Sequence, residues 1–358
     1  MAKKKKSRQH YSGIGGQAVL EGVMMMNKDD YAVAVRKPNG EIDVDVEVYH
    51  SILHGSKIKK IPFVRGIFNF IDSLVLGMKA INHSSTFIED EDTAPTAVDK
   101  ALDKVTKGKS ESVLMVFTTI FAVVLALALF IVLPYFISAK LVEYIRNDSL
   151  LAIIEGVIRI LIFLGYVSAI SLMKDIKRLY RYHGAEHKCI NCIEKGHPLT
   201  VRNVMRASRF HKRCGTSFIF LVALISIVLF FFIKVESPIY RVLLRLVLVP
   251  VIAGISYEII RLAGRSDNIF VKIISAPGMW VQRITTKEPD ESMVEVAIAS
   301  VEAVFDWRAF LNNEFGYETD EPSNAEPDSE NNDSLNAEPD SENNDSLNAE
   351  PDSKNNDN

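Results

Sequence analysis

Residues Ser112–Ala139 read SVLMVFTTIFAVVLALALFIVLPYFISA, a run without a single charge, and this run decides the fold class. At about 1.5 Å per helical residue it is more than long enough to cross roughly 30 Å of hydrocarbon. Cys214–Ile233 is equally free of charge. Ser149–Met173 and Ile239–Ile260 are nearly as apolar but hold a few ionisable residues. The sequence therefore predicts a mainly α, polytopic membrane protein with about four transmembrane helices, at residues 112–137, 149–173, 214–233 and 239–260. The first apolar run begins after more than a hundred residues, so a cleavable secretory signal is not expected.

The charge pattern orients these spans. Residues 174–215 hold eleven Lys/Arg against three Asp/Glu, whereas the connections Ser138–Asp148 and Lys234–Pro238 are short and nearly balanced. By the positive-inside rule the basic loop, taken as 174–213, and both termini face the cytoplasm of a bacterial cell membrane. The net charge of −4 conceals two opposed parts: from Glu318 onward there are fourteen acidic residues and one Lys, and the remainder is strongly basic. That remainder suits an inner surface against anionic lipid. A membrane or cytoplasmic protein partner and an oligomer are compatible with it; a specific nucleic-acid partner is not expected.

Outside the spans, residues 1–11 read as a solvated basic tail. Gly13–Gly22 lacks the ending of a Walker loop and the third glycine of a dinucleotide fingerprint, so it is read as a tight backbone turn. Tyr31–Arg36 and Glu41–Tyr49 alternate around Lys37-Pro38-Asn39-Gly40, which predicts an N-terminal β-hairpin. Ile42, Val44, Val46 and Val48 share one face, and Asp43, Asp45 and Glu47 are expected on the wet one. Ile61–Ile81 is an amphipathic helix with Arg65, Asn69, Asp72 and Lys79 as its polar stripe, suited to the interface or to a protein-buried position. With the hairpin it forms a region 12–83, followed by a linker, 84–111. Beyond the fourth span, region 261–310 contains a break at Pro277-Gly278 and a short soluble helix, Glu291–Phe310. In the acidic tail, 311–358, Asn324–Leu335 recurs with a period of twelve from Asn336, and disorder is expected.

The chemistry concentrates in Arg181-Tyr182-His183-Gly184-Ala185-Glu186-His187-Lys188-Cys189. His183 and His187, four apart, stand on one face of a helix and can share a metal ion. Glu186 completes H-x-x-E-H, the inverted-zincin spacing, as candidate general base. Zinc or a similar divalent cation needs a third donor. Cys189, Cys192, Glu194, His197, His211 and Cys214 are all near in sequence, and Glu258, at the cytoplasmic end of the fourth span, is a distant candidate. In a reducing cytoplasm the three cysteines are thiols or ligands rather than a disulfide. A second polar cluster lies near the outer ends of the second and fourth spans. Glu155 is expected to pair there with Arg245 or Arg241, with Arg159 close by.

These landmarks together resemble the YqhQ-like family of bacterial multi-pass membrane proteins, which has no established activity and is commonly described as predicted metal-dependent enzymes. The resemblance rests on Gly15–Met25, Pro62–Gly66, Tyr182–Lys188, Ser208–Ser217, Tyr257-Glu258 and Ala276–Trp280, and covers about residues 12–305. It implies His183, Glu186, His187, His211 and Cys214 as the functional core and adds Glu21 as a participant. The functional expectation is a metal-dependent hydrolase at the cytoplasmic face. A non-catalytic assembly factor or scaffold with a structural metal, or a small transporter using Glu155, Arg159, Arg241 and Arg245, are the alternatives.

Overall fold

The computed structural model describes residues 9–53, 56–57, 61–87, 110–145, 147–233, 235, 237–265 and 268–317. The expected basic tail is outside the described residues as far as Arg8, as are most of the linker and the acidic repeats. Four strands, β1 (Gly15–Val19), β2 (Gly22–Asn27), β3 (Asp30–Arg36) and β4 (Ile42–Val48), are followed by helices α1 (Val64–Ser85), α2 (Ser110–Leu127), α3 (Leu133–Leu141), α4 (Asp148–Ile170), α5 (Lys174–Glu194), α6 (Val201–Arg206), α7 (Gly215–Phe232), α8 (Pro238–Arg265), α9 (Ile269–Thr285), α10 (Glu291–Val304) and α11 (Trp307–Phe315). A π-helical turn, Ala128–Val132, joins α2 to α3. Among the described residues, four segments are long and apolar enough to cross a membrane: Phe117–Leu141, Leu150–Ile170, Gly215–Phe232 and Val242–Gly264.

The N-terminal region is a four-stranded antiparallel meander, β1-β2-β3-β4, larger than the expected hairpin. The glycine-rich stretch read as a turn is the first strand, and Leu20-Glu21 is its turn, with Glu21 at φ 52°. The second strand escapes periodicity because it is covered on both faces. Val23 and Met25 join the core formed with α5 and α10, while Met24 joins the one formed with α1. A strand buried on both sides does not alternate.

Both faces of β4 are partly wet: Ile42 packs against the core formed with α5 and α10, while Asp45 and Glu47 remain open to solvent. Tyr31↔Glu47, Val33↔Asp45 and Val35↔Asp43 are cross-strand partners, so the acidic row lies on the side of Tyr31, Val33 and Val35, which pack with Leu76 and Ala80 of α1. Asp43 pairs with Lys37 at 2.6 Å, and Tyr31 donates to Glu47. Val44, Val46 and Val48 stand 40%, 52% and 58% exposed. Period two fixes which residues share a face but not which face is covered, and β4 is an edge.

Helix α1 is inverted relative to a water-soluble amphipathic helix. Three of its four polar-stripe residues point into the protein: Arg65 is bidentate to Glu258 at 2.6 and 2.5 Å, Asn69 donates to the Tyr257 hydroxyl at 2.7 Å, and Asp72 accepts from Tyr49 and Ser51 at 3.0 and 2.5 Å, while Lys79 is exposed. Leu74, Val75, Met78 and Ile81 face outward. A Cβ on Gly66 would lie 2.8 Å from Tyr257 Cβ, so α1 sits close against α8. Polar inward and apolar outward is the pattern hydrocarbon favours. Helix α9 continues unbroken through Pro277, where a break was expected. Its Gly278 packs on Ser217, 2.7 Å from a hypothetical Cβ, and Ile273 and Trp280 face outward.

Within the spans, Glu155 accepts from Arg245, with one bond at 2.7 Å, from Arg159 at 3.1 Å and from Ser138 at 3.3 Å. Arg159 also donates to Ser226 at 2.8 Å and to the Phe130 carbonyl at 2.9 Å. That carbonyl belongs to the π turn, whose wide geometry exposes backbone groups. The expected Glu155–Arg245 pair is present; the side chain of Arg241 lies outside the described residues.

Candidate metal centre

One face of α5 supplies Tyr182, Ala185, Cys189, Ile190 and Ile193 to the core under the sheet and α10. This fixes the rotation of the helix and turns His183, Glu186 and His187 toward the segment that enters α7. Gly184 permits the approach of the chain after α9. A Cβ there would lie 2.0 Å from the Lys287 carbonyl oxygen, and Lys287 N–H donates to the Tyr180 carbonyl at 2.8 Å. That contact brings the Thr285 carbonyl to His183 Nδ1 at 2.9 Å. Similarly, Asn191 donates to the carbonyls of Ser208 and Phe210, 2.6 and 3.0 Å away, and so places the Arg209 carbonyl 2.6 Å from His187 Nδ1.

A carbonyl can only accept, so both Nδ1 atoms carry protons, and in each neutral ring Nε2 is left with its lone pair. Cys214 caps α7, its Sγ accepting from Thr216 N–H at 3.4 Å and lying 3.3 Å from His183 Nε2. Ligand atoms of His183, His187 and Cys214 all lie within 4.8 Å of one another. Glu186 Oε2 is 3.5 Å from His187 Nε2 and 3.9 Å from His183 Nε2. A cavity of about 100 Å³ runs along these groups, closed above by Ile14, Gly15 and Gly16. A Cβ on Gly16 would lie 3.2 Å from Glu186 Cγ, so the first strand sits directly over the carboxylate.

The electrostatics favour a thiolate. Burial alone would raise the Cys214 thiol, but His183 and His187 outweigh it and hold it well below its ordinary value. Burial likewise opposes charge on His183, yet Cys214, Glu186 and the Thr285 carbonyl push its ring up to about 9. Cys189 and Cys192 behave oppositely. Burial raises both thiols, that of Cys192 to about 12, and Cys192 donates weakly to the carbonyls of His197 and Pro198. These two cysteines are packing residues of the core.

Other candidates are placed elsewhere. Glu258, considered as a distant ligand, is held by Arg65 and by Phe63 N–H, so the inverted polarity of α1 consumes it. Glu21, at the first hairpin turn, is bidentate to Arg178 and accepts from Tyr182 at 3.3 Å, away from the cavity. His211 lines the cavity, but its Nε2 lies 3.6 Å from Glu194, and burial keeps its ring below the ordinary value. His197 is exposed.

Glu194 is instead a structural hub. It accepts from Ser12 N–H and Oγ at 3.0 and 2.8 Å, from Gln9 at 3.0 Å and from Arg213, binding the N-terminal arm to α5. Burial opposes its charge, but His211, Arg213 and Ser12 prevail and lower its pKa to about 2. The contact therefore stabilises the fold fully above the ordinary carboxylate value and is lost as pH falls from there toward 2, at a cost of roughly 3 kcal/mol. Thermal unfolding in detergent should show this acid limb, and Glu194→Gln should flatten it.

Gly184→Ala is expected to force the Thr285 segment off α5. Overpacking of this kind costs about 1–3 kcal/mol, and loss of an orienting carbonyl costs about 10–100-fold in metal affinity. A normal melting temperature and normal metal content in that variant would contradict this account.

A family model described as "Protein of unknown function (DUF1385)" matches residues 61–307. The chain is 34% identical over 287 residues to "Uncharacterized protein YqhQ" of Bacillus subtilis (strain 168), covering 80% of this chain and 90% of that one. No solved structure matches.

Proposed function

The chain belongs to the DUF1385 family, a family of unknown function, and from the centre's geometry we propose that it is a membrane metallohydrolase. In this reading His183, His187 and Cys214 hold zinc or a similar divalent cation at the cytoplasmic face of the bacterial cell membrane. The carrying observation is the pair of Nδ1-to-carbonyl hydrogen bonds, which turn both Nε2 atoms toward the Cys214 sulfur. Carbonyl-oriented histidines are the usual support of metal ligands.

The donor set fits. Tetrahedral zinc, with bonds of about 2.0–2.3 Å, needs donors roughly 3.3–3.8 Å apart. His183 Nε2 and Cys214 Sγ already meet this at 3.3 Å; the wider pairs close with small side-chain rotations. Three protein donors leave one position open, the arrangement of catalytic rather than structural sites.

When bound, such a cation supplies Lewis acidity and lowers the pKa of water. Glu186, buried and adjacent to both rings, accepts the proton of a water in the cavity and returns it to the leaving group. Ile14 and Ile190 line the same space and limit bulk water. Lys174 and Lys177, exposed at the start of α5 just after the second span, serve anionic lipid at the inner leaflet.

A second reading makes Glu186 a fourth ligand and the centre purely structural, because its carboxylate is buried within 3.9 Å of both Nε2 atoms. Glu186→Gln separates the two. The hydrolase reading expects that variant to keep near-stoichiometric metal by elemental analysis and to fail to rescue a deletion strain. Full rescue would transfer support to the structural reading, and metal-free wild type would remove both.

A further inference from the structure

Beside the metal centre lies a cleft of about 710 Å³ with β1 as its floor, walled by Ser73 and Leu76 of α1, Leu179 and Tyr180 of α5, and Thr216 at the head of α7. His183 lines both this cleft and the smaller cavity, so the two adjoin at that ring.

The first strand is an edge of the sheet, and its hydrogen-bonding parity can be worked out. Arg36 N–H donates to the Glu21 carbonyl at 2.9 Å. With the β2–β3 register, Val23, Met25 and Asn27 bond to β3, which leaves Gly22, Met24 and Met26 to bond β1. Their partners are Val19, Gln17 and Gly15. Alternation then turns the N–H and C=O of Gly16 and Ala18 to the open edge. Among the described residues no hydrogen bond meets them. Gly15 and Gly16 are exposed, and a Cβ on Gly15 would meet nothing within 4 Å.

We propose that this cleft takes an extended polypeptide segment of another protein, which adds to β1 as a fifth strand and leads to His183. An alternating row of donors and acceptors at strand spacing is complemented by a second strand. A lipid headgroup has donors and acceptors but no alternating row of them at strand spacing, so it cannot meet the N–H and C=O groups of Gly16 and Ala18 together. Leu76, Leu179, Met24 and Met26 give the cleft an apolar part and Lys28 and Arg213 a charged one, which suits a strand of alternating apolar and polar side chains, and Thr216 places the segment next to a span. The inference deepens the hydrolase reading and rests on it for the chemical step. In that step water adds to the peptide carbonyl, the C–N bond breaks, the hydroxyl stays on the new carboxylate, and the amine leaves with the proton returned by Glu186. Binding itself needs neither the cation nor turnover.

The test uses full-length Glu186→Gln protein in nanodiscs and a pool of fluorescein-labelled, unstructured decapeptides with apolar residues at alternate positions. Saturable binding is expected, and it should persist in chelator. Gly15→Phe, whose Cβ would meet no protein atom within 4 Å, should weaken it at least tenfold, in chelator as well, where loss of a cation cannot account for the change. Ala18→Pro, which removes one outward N–H at a position where an edge strand tolerates proline, should do the same. A photoreactive benzophenone amino acid in place of Ser73 should cross-link the peptides.

Failure of the pool to bind, or undiminished binding by both variants, would overturn the proposal. So would cross-links to phospholipid or to this chain's own residues 88–109 or 318–358. Peptide binding without hydrolysis by wild type would sink the hydrolase reading and leave the docking intact. Hydrolysis of a non-peptide substrate with no peptide bound would do the reverse.

Discussion

Purified His183→Ala and Cys214→Ala proteins are each expected to retain less than about a tenth of the zinc carried by wild type after dialysis. Loss of an orienting partner alone costs about 10–100-fold in affinity, and loss of a ligand costs more. His197→Ala is the matched control: that ring is exposed and only its backbone touches Cys192, so its metal content should equal wild type. Elemental analysis of the detergent-solubilised proteins decides the matter. Equal zinc in all four would mean that the cation, if present, sits elsewhere.

Glu155→Ala should be the most destabilising substitution in the spans, by about 3–5 kcal/mol, because it strips the partner from buried charges. Here the loss is doubled in kind, since Arg159 and Arg245 share that one carboxylate and would face each other uncompensated. Both guanidinium groups also lie over the Phe230 ring, 5.6 and 5.1 Å from its centroid, which offers them no anion. Denaturation in mixed micelles measures the effect. Wild-type stability in Glu155→Ala would mean that the cluster does not hold the helices together, and would favour a transport role for these charges.

The spans were legible in the sequence because nothing else explains Ser112–Ala139, an uncharged run of that length. The His183/Glu186/His187 constellation was legible because helical spacing alone puts those side chains together. The identity of the third donor was not. Six nearby candidates and one distant one had equal standing by spacing, and the choice of Cys214 depends on how the chain from Ser208 to Cys214 folds back across α5. The carbonyls of Thr285 and Arg209 leave no mark in a sequence, since every residue has one. Glu258 misled because its partner, Arg65, sits on a helix whose polar stripe faces inward, and periodicity shows a stripe without saying which way it points. The double glycine before Gln17 was visible, but its purpose, letting β1 lie over Glu186, appears only once the sheet is built.

Cys214 is the last residue before a span begins, whereas His183 and His187 belong to a helix anchored in the core beneath the sheet. An ion gripped by all three would rivet the sheet-bearing body to the bundle of apolar helices. Tilting or rotation of α7, by lateral pressure or by a neighbour in the membrane, would pull directly on one of its bonds. The centre would then register mechanical events in the lipid.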